Sequence, residues 1–256
     1  MDSAGRRMAD MTWSEVREAV GEGTGVILPV GSTEQHGPHL PLATDHLLAA
    51  DLSLAVACTT RMIVAPPIAY GYRSRPLTGG GQGFAGTTSL RGATLMAVVT
   101  DVLRELIRHG FQRVVLINWH YENSNFVYEA AYEALEPHAS ATARIVVFEH
   151  GLNELSDETV KSVFGEGFPG LAIEHAATYE TSLMLHLHPE LVHFDRAVDD
   201  KSERRPWYDV LPTPDDFVPK SGILWKAKGA SAEKGKLLWD EIVPQVQQGI
   251  ITELGS

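Results

Sequence analysis

Short unbroken apolar runs recur along the chain, separated by longer stretches in which apolar residues return every three or four positions. Val26 to Val30, Arg61 to Ala65, Arg113 to Ile117 and Arg144 to Phe148 read as strands, since a continuous apolar run bounded by turn residues is what a strand buried on both faces leaves in a sequence. Arg91 to His109 carries Leu95, Val98, Val99, Val102, Leu103 and Leu106 at helical spacing and stops at Gly110, a usual helix terminator. Thr12-Trp13-Ser14-Glu15 has the form of a capping box opening a short helix to Val20. Further helices are expected over 47–57, 123–135 and 231–254, the last kinked at Pro244. Strands alternating with helices predict an α/β fold, a single domain whose mainly parallel sheet has helices on both faces. No repeat, low-complexity segment or linker divides residues 1–256, and the proline- and charge-rich stretch Asp195 to Pro219 reads as an excursion from that one domain.

Candidate chemistry lies where two of these strands end. The first stops at Gly31, and Glu34, His36, His39 and Asp45 follow, with Pro38 and Pro41 stiffening the segment. The third runs directly into Asn118, Trp119, His120, Tyr121 and Glu122. Two strands thus each exit through a His and a Glu one residue apart, and in an open parallel sheet ligands bind beyond those carboxyl ends. Imidazole and carboxylate without thiolate suit zinc, manganese or nickel. Five donors (Glu34, His36, Asp45, His120, Glu122) exceed what one tetrahedral ion with an open position needs. They fit two ions bridged by a carboxylate. Any of these residues alone reads more readily as a solvated loop side chain; the matched clusters reverse that.

A third polar segment runs from Ile173 to Ser182. If helical, it puts His175 and Tyr179 on one face and Glu180 to the side, so that His175 could shuttle a proton and Glu180 orient it. Gly81-Gln82-Gly83-Phe84-Ala85-Gly86 formally matches a dinucleotide-binding fingerprint, but it follows turns and not a strand. A loop lying over the site is the better account. Among the other histidines, His39 is a candidate to support a ligand.

Composition narrows the partners. A net charge of −12 argues against nucleic acid and anionic membranes, and 44% hydrophobic with 21% charged residues is the balance of a folded globule. Cys58, the single cysteine, excludes a disulfide framework and reads as a core or helix-face residue. Neither an apolar leader core within Met1 to Met11 nor a membrane-length apolar run is present, so the expected setting is the cytoplasm.

With these residues in place, the chain resembles the creatininase (creatinine amidohydrolase) family. The likeness rests on Pro29-Val30-Gly31, Glu34-Gln35-His36-Gly37, Asp45, Gly71-Tyr72, Gly79-Gly80-Gly81, Gly86-Thr87-Thr88-Ser89-Leu90, His120-Tyr121-Glu122-Asn123-Ser124, and Ile173-Glu174-His175 through Glu180-Thr181-Ser182. It implies a hydrolase with two divalent ions, zinc or manganese, usually hexameric. By that match Glu34 and His120 would hold one ion, His36 and Glu122 the other, and Asp45 would bridge them. The bridging water would attack the carbonyl carbon of a small cyclic amide, and His175 would pass a proton to the leaving nitrogen. Tyr121 (through its backbone), Thr78 and Leu171 would face the substrate, Thr78 keeping the hydroxyl of a family serine. Creatininases that act on creatinine enclose it between two tryptophans, whose places here fall to Gly151 and Leu171, and an acid after the second is Ala172. The resemblance therefore leaves open a formamide or peptide substrate, or a silent metal-binding assembly protein.

Overall fold

A computed structural model of the chain describes residues 6–136, 143–149, 155–168 and 170–255. Four strands, β1 (Gly25–Val30), β2 (Met62–Val64), β3 (Arg113–Asn118) and β4 (Arg144–Glu149), form one parallel sheet in the order β2-β1-β3-β4. Gly25 is required at the start of β1, because a Cβ there would stand 2.8 Å from both the carbonyl oxygen and the Cβ of Arg113 on β3. A helix α1 (Trp13–Gly21) precedes β1; parallel neighbours need long crossovers, and α2 (Thr44–Thr60), α3 (Gly92–Arg108) and α4 (Ser124–Leu135) supply them. After β4 come α5 (Asp157–Phe164), α6 (Thr178–Leu187) and α7 (Ala232–Leu254).

The alternation of side chains along a strand divides the apolar residues between two cores. Ile27, Val115 and Ile117 face one side, packed with α2, α6 and α7. Val26, Leu28, Val30, Val114 and Leu116 face the other, against α3 and α4. Helices therefore cover both faces, as the unbroken strand runs predict.

In register, Val30 pairs with Asn118, and the Trp119 N–H donates to the Val30 carbonyl at 2.9 Å. The exits of β1 and β3 consequently leave the sheet side by side. That adjacency brings the two polar clusters together.

Several expectations are refined. The capping box at Thr12 and Glu15 forms, but α2 begins at Thr44, so Asp45 sits in its first turn, where the helix dipole favours a carboxylate. Cys58 is exposed, on the outer side of α2. The last helix runs through Pro244 as one element. The segment containing His175 is not helical: Ala176 has φ of +54°, and α6 starts only at Thr178. Among the described residues no helix is long and apolar enough to cross a membrane.

Candidate metal centre

The loop leaving β1 is pressed against the start of α2. A Cβ on Gly31 would come within 2.5 Å of the His46 backbone nitrogen, so only glycine permits this approach. The glycine-rich connection fixes the loop from outside, the Thr88 N–H donating to the Thr33 carbonyl at 2.9 Å. Glu34, His36 and Asp45 are thereby buried together, with His120 arriving from the end of β3.

Asp45 faces two histidines. Its Oδ1 lies 3.2 Å from Nε2 of His36 and its Oδ2 3.2 Å from Nδ1 of His120. Each imidazole meets a further carboxylate: Oε2 of Glu180 is 3.6 Å from Nε2 of His36, and Oε1 of Glu34 is 3.1 Å from Nδ1 of His120. Backbone carbonyls hold the opposite edges of both rings. Nδ1 of His36 donates to the Glu34 carbonyl at 3.1 Å, and Nε2 of His120 to the Tyr72 carbonyl at 2.9 Å. A carbonyl only accepts, so each ring's proton is held there while its other nitrogen faces the acids.

Glu180, not Glu122, stands with His36 and Asp45. Glu122 lies on the far edge of His120, 3.6 Å from the Nε2 committed to Tyr72. Its carboxylate accepts the Thr78 hydroxyl and, at 3.1 Å, the Arg75 N–H. Thr78, expected to face a substrate, spends its hydroxyl on this acid. The same loop reaches inward through Ser74, whose hydroxyl donates to Glu34. Gly81 passes so near that a Cβ would stand 2.9 Å from Oε2 of Glu34.

His175 closes the site from above α6. Its Nδ1 is 3.8 Å from Oε1 of Glu34. Its Nε2 is gripped by Gln35, 2.9 Å from both that residue's backbone carbonyl and its side-chain nitrogen. The turn at Ala176 explains why His175 and Tyr179 do not share a face. It also aims the Ala176 N–H at Glu180 Oε2 (2.7 Å), fixing that carboxylate toward His36. His39 is buried with Nε2 2.8 Å from the Thr181 hydroxyl, supporting the helix turn that carries Glu180. The Tyr121 ring is half-exposed, Leu171 packs at the edge of the α2–α6–α7 core, and Gly151 lies outside the described residues.

Electrostatics expose what this cluster requires. Burial opposes charging His36, yet the Asp45 and Glu180 carboxylates outweigh it and hold its pKa well above the usual imidazole value. Burial likewise opposes, and Glu34, Asp45 and Glu122 overcome, in His120. Glu34 and Asp45 are drawn below the usual carboxylate range against burial, Glu34 by His120 and His175, Asp45 chiefly by His36. His39 is pushed down to about 4 by burial and by His36, which outweigh the opposing pull of Glu180. Three carboxylates and two imidazoles thus converge in a buried space, and Nε2 of His36 and Oδ2 of Asp45 have no hydrogen-bond partner. Buried carboxylates gathered this closely need positive charge between them, supplied by imidazole protons or by cations in their place. Three groups among the described residues keep their ligand atoms within 4.8 Å, Glu34–His36–His175, Glu34–Asp45–His120 and His36–Asp45–Glu180, and the last two share Asp45. The residues present therefore fit divalent metal.

The comparisons with known proteins agree with this chemistry. The creatininase (creatinine amidohydrolase) family profile matches residues 9–250. The creatinine amidohydrolase of Pseudomonas putida is 41% identical over 250 residues, covering 96% of this chain and 96% of that protein. The 3-dehydro-scyllo-inosose hydrolase of Thermotoga maritima is 30% identical, over 88% of this chain and 76% of that protein. Among solved structures, a manganese creatininase superposes with a TM-score of 0.92 at 40% identity, over 97% of this chain and 98% of that one.

Proposed function

The chain belongs to the creatininase family and is a metal-dependent hydrolase of non-peptide C–N bonds, and from that premise we propose that it opens a small cyclic amide, creatinine or a close relative, at a site for two divalent ions, zinc or manganese. The observation that carries the two-ion reading is Asp45, which turns one oxygen to His36 and the other to His120. Glu34, Asp45 and His120 would hold one ion, and His36, Asp45 and Glu180 the other. Such a pair of ions supplies Lewis acidity toward a carbonyl oxygen and an acidified water.

The chain's own residues supply the rest. Opening the ring adds a water oxygen to the carbonyl carbon, breaks the C–N bond and places a proton on the departing nitrogen. His175 is suited to move that proton: Gln35 holds Nε2, leaving Nδ1 on the side of the acids. Glu122, outside both ligand groups but beside His120, is suited to handle the proton that leaves the attacking water. A homohexamer is the assembly the family likeness suggests.

Leu171 bears on the substrate. An aliphatic side chain there removes one stacking wall for a planar ring, worth about 0.5–1.5 kcal/mol beyond area burial. A second reading, a cyclic amide carrying an apolar arm, is favoured by a cavity of about 490 Å³ beside the site, lined by Ser74, Pro76, Gly80, Phe84, Val218 and Pro219. The decisive experiment is turnover of creatinine by zinc- or manganese-loaded protein, followed by NMR. Creatine is the expected product. Protein that holds two ions and leaves creatinine untouched would overturn creatinine as the substrate and move the assay to substituted lactams, hydantoins and formamides.

A further inference from the structure

We infer that Asn123 is a positioning residue for the metal centre: its buried carboxamide fixes the Tyr72 carbonyl that holds His120 in the tautomer able to bind an ion. The inference rests on the ligand reading given above. Asn123 is fully buried, and its carboxamide bonds three different segments. Nδ2 donates to the Gly31 carbonyl at 3.0 Å and to Oδ1 of Asn118 at 3.1 Å, while Oδ1 accepts the Tyr72 N–H at 2.7 Å. With acceptors on one side and a donor on the other, the amide has one workable orientation.

Those three partners lie in three segments that carry or flank ligands of the centre. Gly31 is the first residue beyond β1, on the way to Glu34 and His36. Asn118 ends β3, and its own amide donates to the His120 carbonyl at 2.8 Å. Tyr72 receives the His120 ring proton on its carbonyl at 2.9 Å while its N–H is bound by Asn123. The peptide units on either side of Tyr72 thus tie Asn123 to His120. If the carbonyl drifts, the proton is free to move to Nδ1, the nitrogen that faces Glu34 and Asp45, and that nitrogen no longer offers a lone pair. Gly71 shows how tight the joint is: a Cβ there would meet the Gly31 carbonyl oxygen at 2.7 Å and Asn123 Oδ1 at 2.8 Å.

The effect should fall on one ion. His36 takes its orientation from the Glu34 carbonyl and Glu180 from the Ala176 N–H, neither of which touches Asn123. Asn123→Ala and Asn123→Asp proteins, freed of metal and titrated with Co²⁺ against a chelator, should bind one equivalent as the parent does. The other should weaken roughly 10–100-fold. Gly71→Ala presses on the same joint from the Tyr72 side and should reproduce the selective loss if the Asn123 variants fold poorly. Val99→Ala, a truncation in the distant α3 core, controls for general loosening. Two ions retained at parental affinity in the folded variants, or both weakened together as in the control, would overturn the inference. A parent protein that binds fewer than two ions would instead overturn the ligand reading beneath it, and that outcome is visible before any variant is made.

Discussion

Oε2 of Glu180 lies 3.6 Å from Nε2 of His36, at the nitrogen turned away from the Glu34 carbonyl. The contact separates two acids that sequence spacing cannot tell apart. Glu180→Gln is expected to lose one of two metal equivalents by elemental analysis. Glu122→Gln is expected to keep both while turnover falls about 10²–10⁴-fold, the usual cost of removing a general acid or base. The reverse pattern would return Glu122 to the ligand set.

His175→Gln should retain both ions and lose about 10²–10⁴-fold in kcat, with KM much less affected. A loss of metal equal to the loss of rate would make His175 a ligand and not a proton carrier.

Without metal, stability should depend on pH in a direction set by the shifts at the centre. His36 and His120 have pKa values raised above 6.5 in the fold. Their contribution is full below the unfolded value and is lost as pH rises through the folded one. Glu34 and Asp45 are depressed, so theirs is present above their unfolded values and lost as pH falls through the folded ones. Metal-free protein should therefore be most stable between those limits and decline toward alkaline pH. Ions that replace the two imidazole protons remove the alkaline decline. Calorimetry of chelated and loaded protein should show a gap in Tm that widens with pH; a constant gap would refute this account.

Leu171→Trp restores one aromatic wall. If creatinine is the substrate, its KM should fall about 2–10-fold, the equivalent of 0.5–1.5 kcal/mol, with metal content unchanged. An unchanged or raised KM would place the ring elsewhere.

How much of this was readable in the letters follows from what is local. The strands and the capping box at Thr12 depend on neighbours in sequence, and each is where the pattern puts it; the pairing of the exits after Val30 and Ile117 is long-range, and it follows from the rule that parallel strands open their sites at one sheet edge. The role of Glu180 is not local. Helical spacing from Ile173 aims it aside, and only the left-handed Ala176, a residue with no special liking for that conformation, breaks the register and sends its carboxylate to His36. The place of Glu122 is likewise not local, since its distance from His120 in sequence says nothing of which ring edge it meets. For Cys58 the letters left core and helix face open, because α2 has little apolar asymmetry, and the structure selects the helix face.

The passage of Gly81 against Glu34 limits how this scaffold can diversify. With 2.9 Å between a would-be Cβ and a carboxylate oxygen, that side of the centre has no thickness to spare. A mutation there is read as damage to the catalyst before it is read as a change of substrate. The side chain at position 171 packs at the border of the apolar core, where a change of size meets other side chains and not a carboxylate oxygen at the centre. A library randomised at Leu171 should therefore yield many more active clones than one randomised at Gly81.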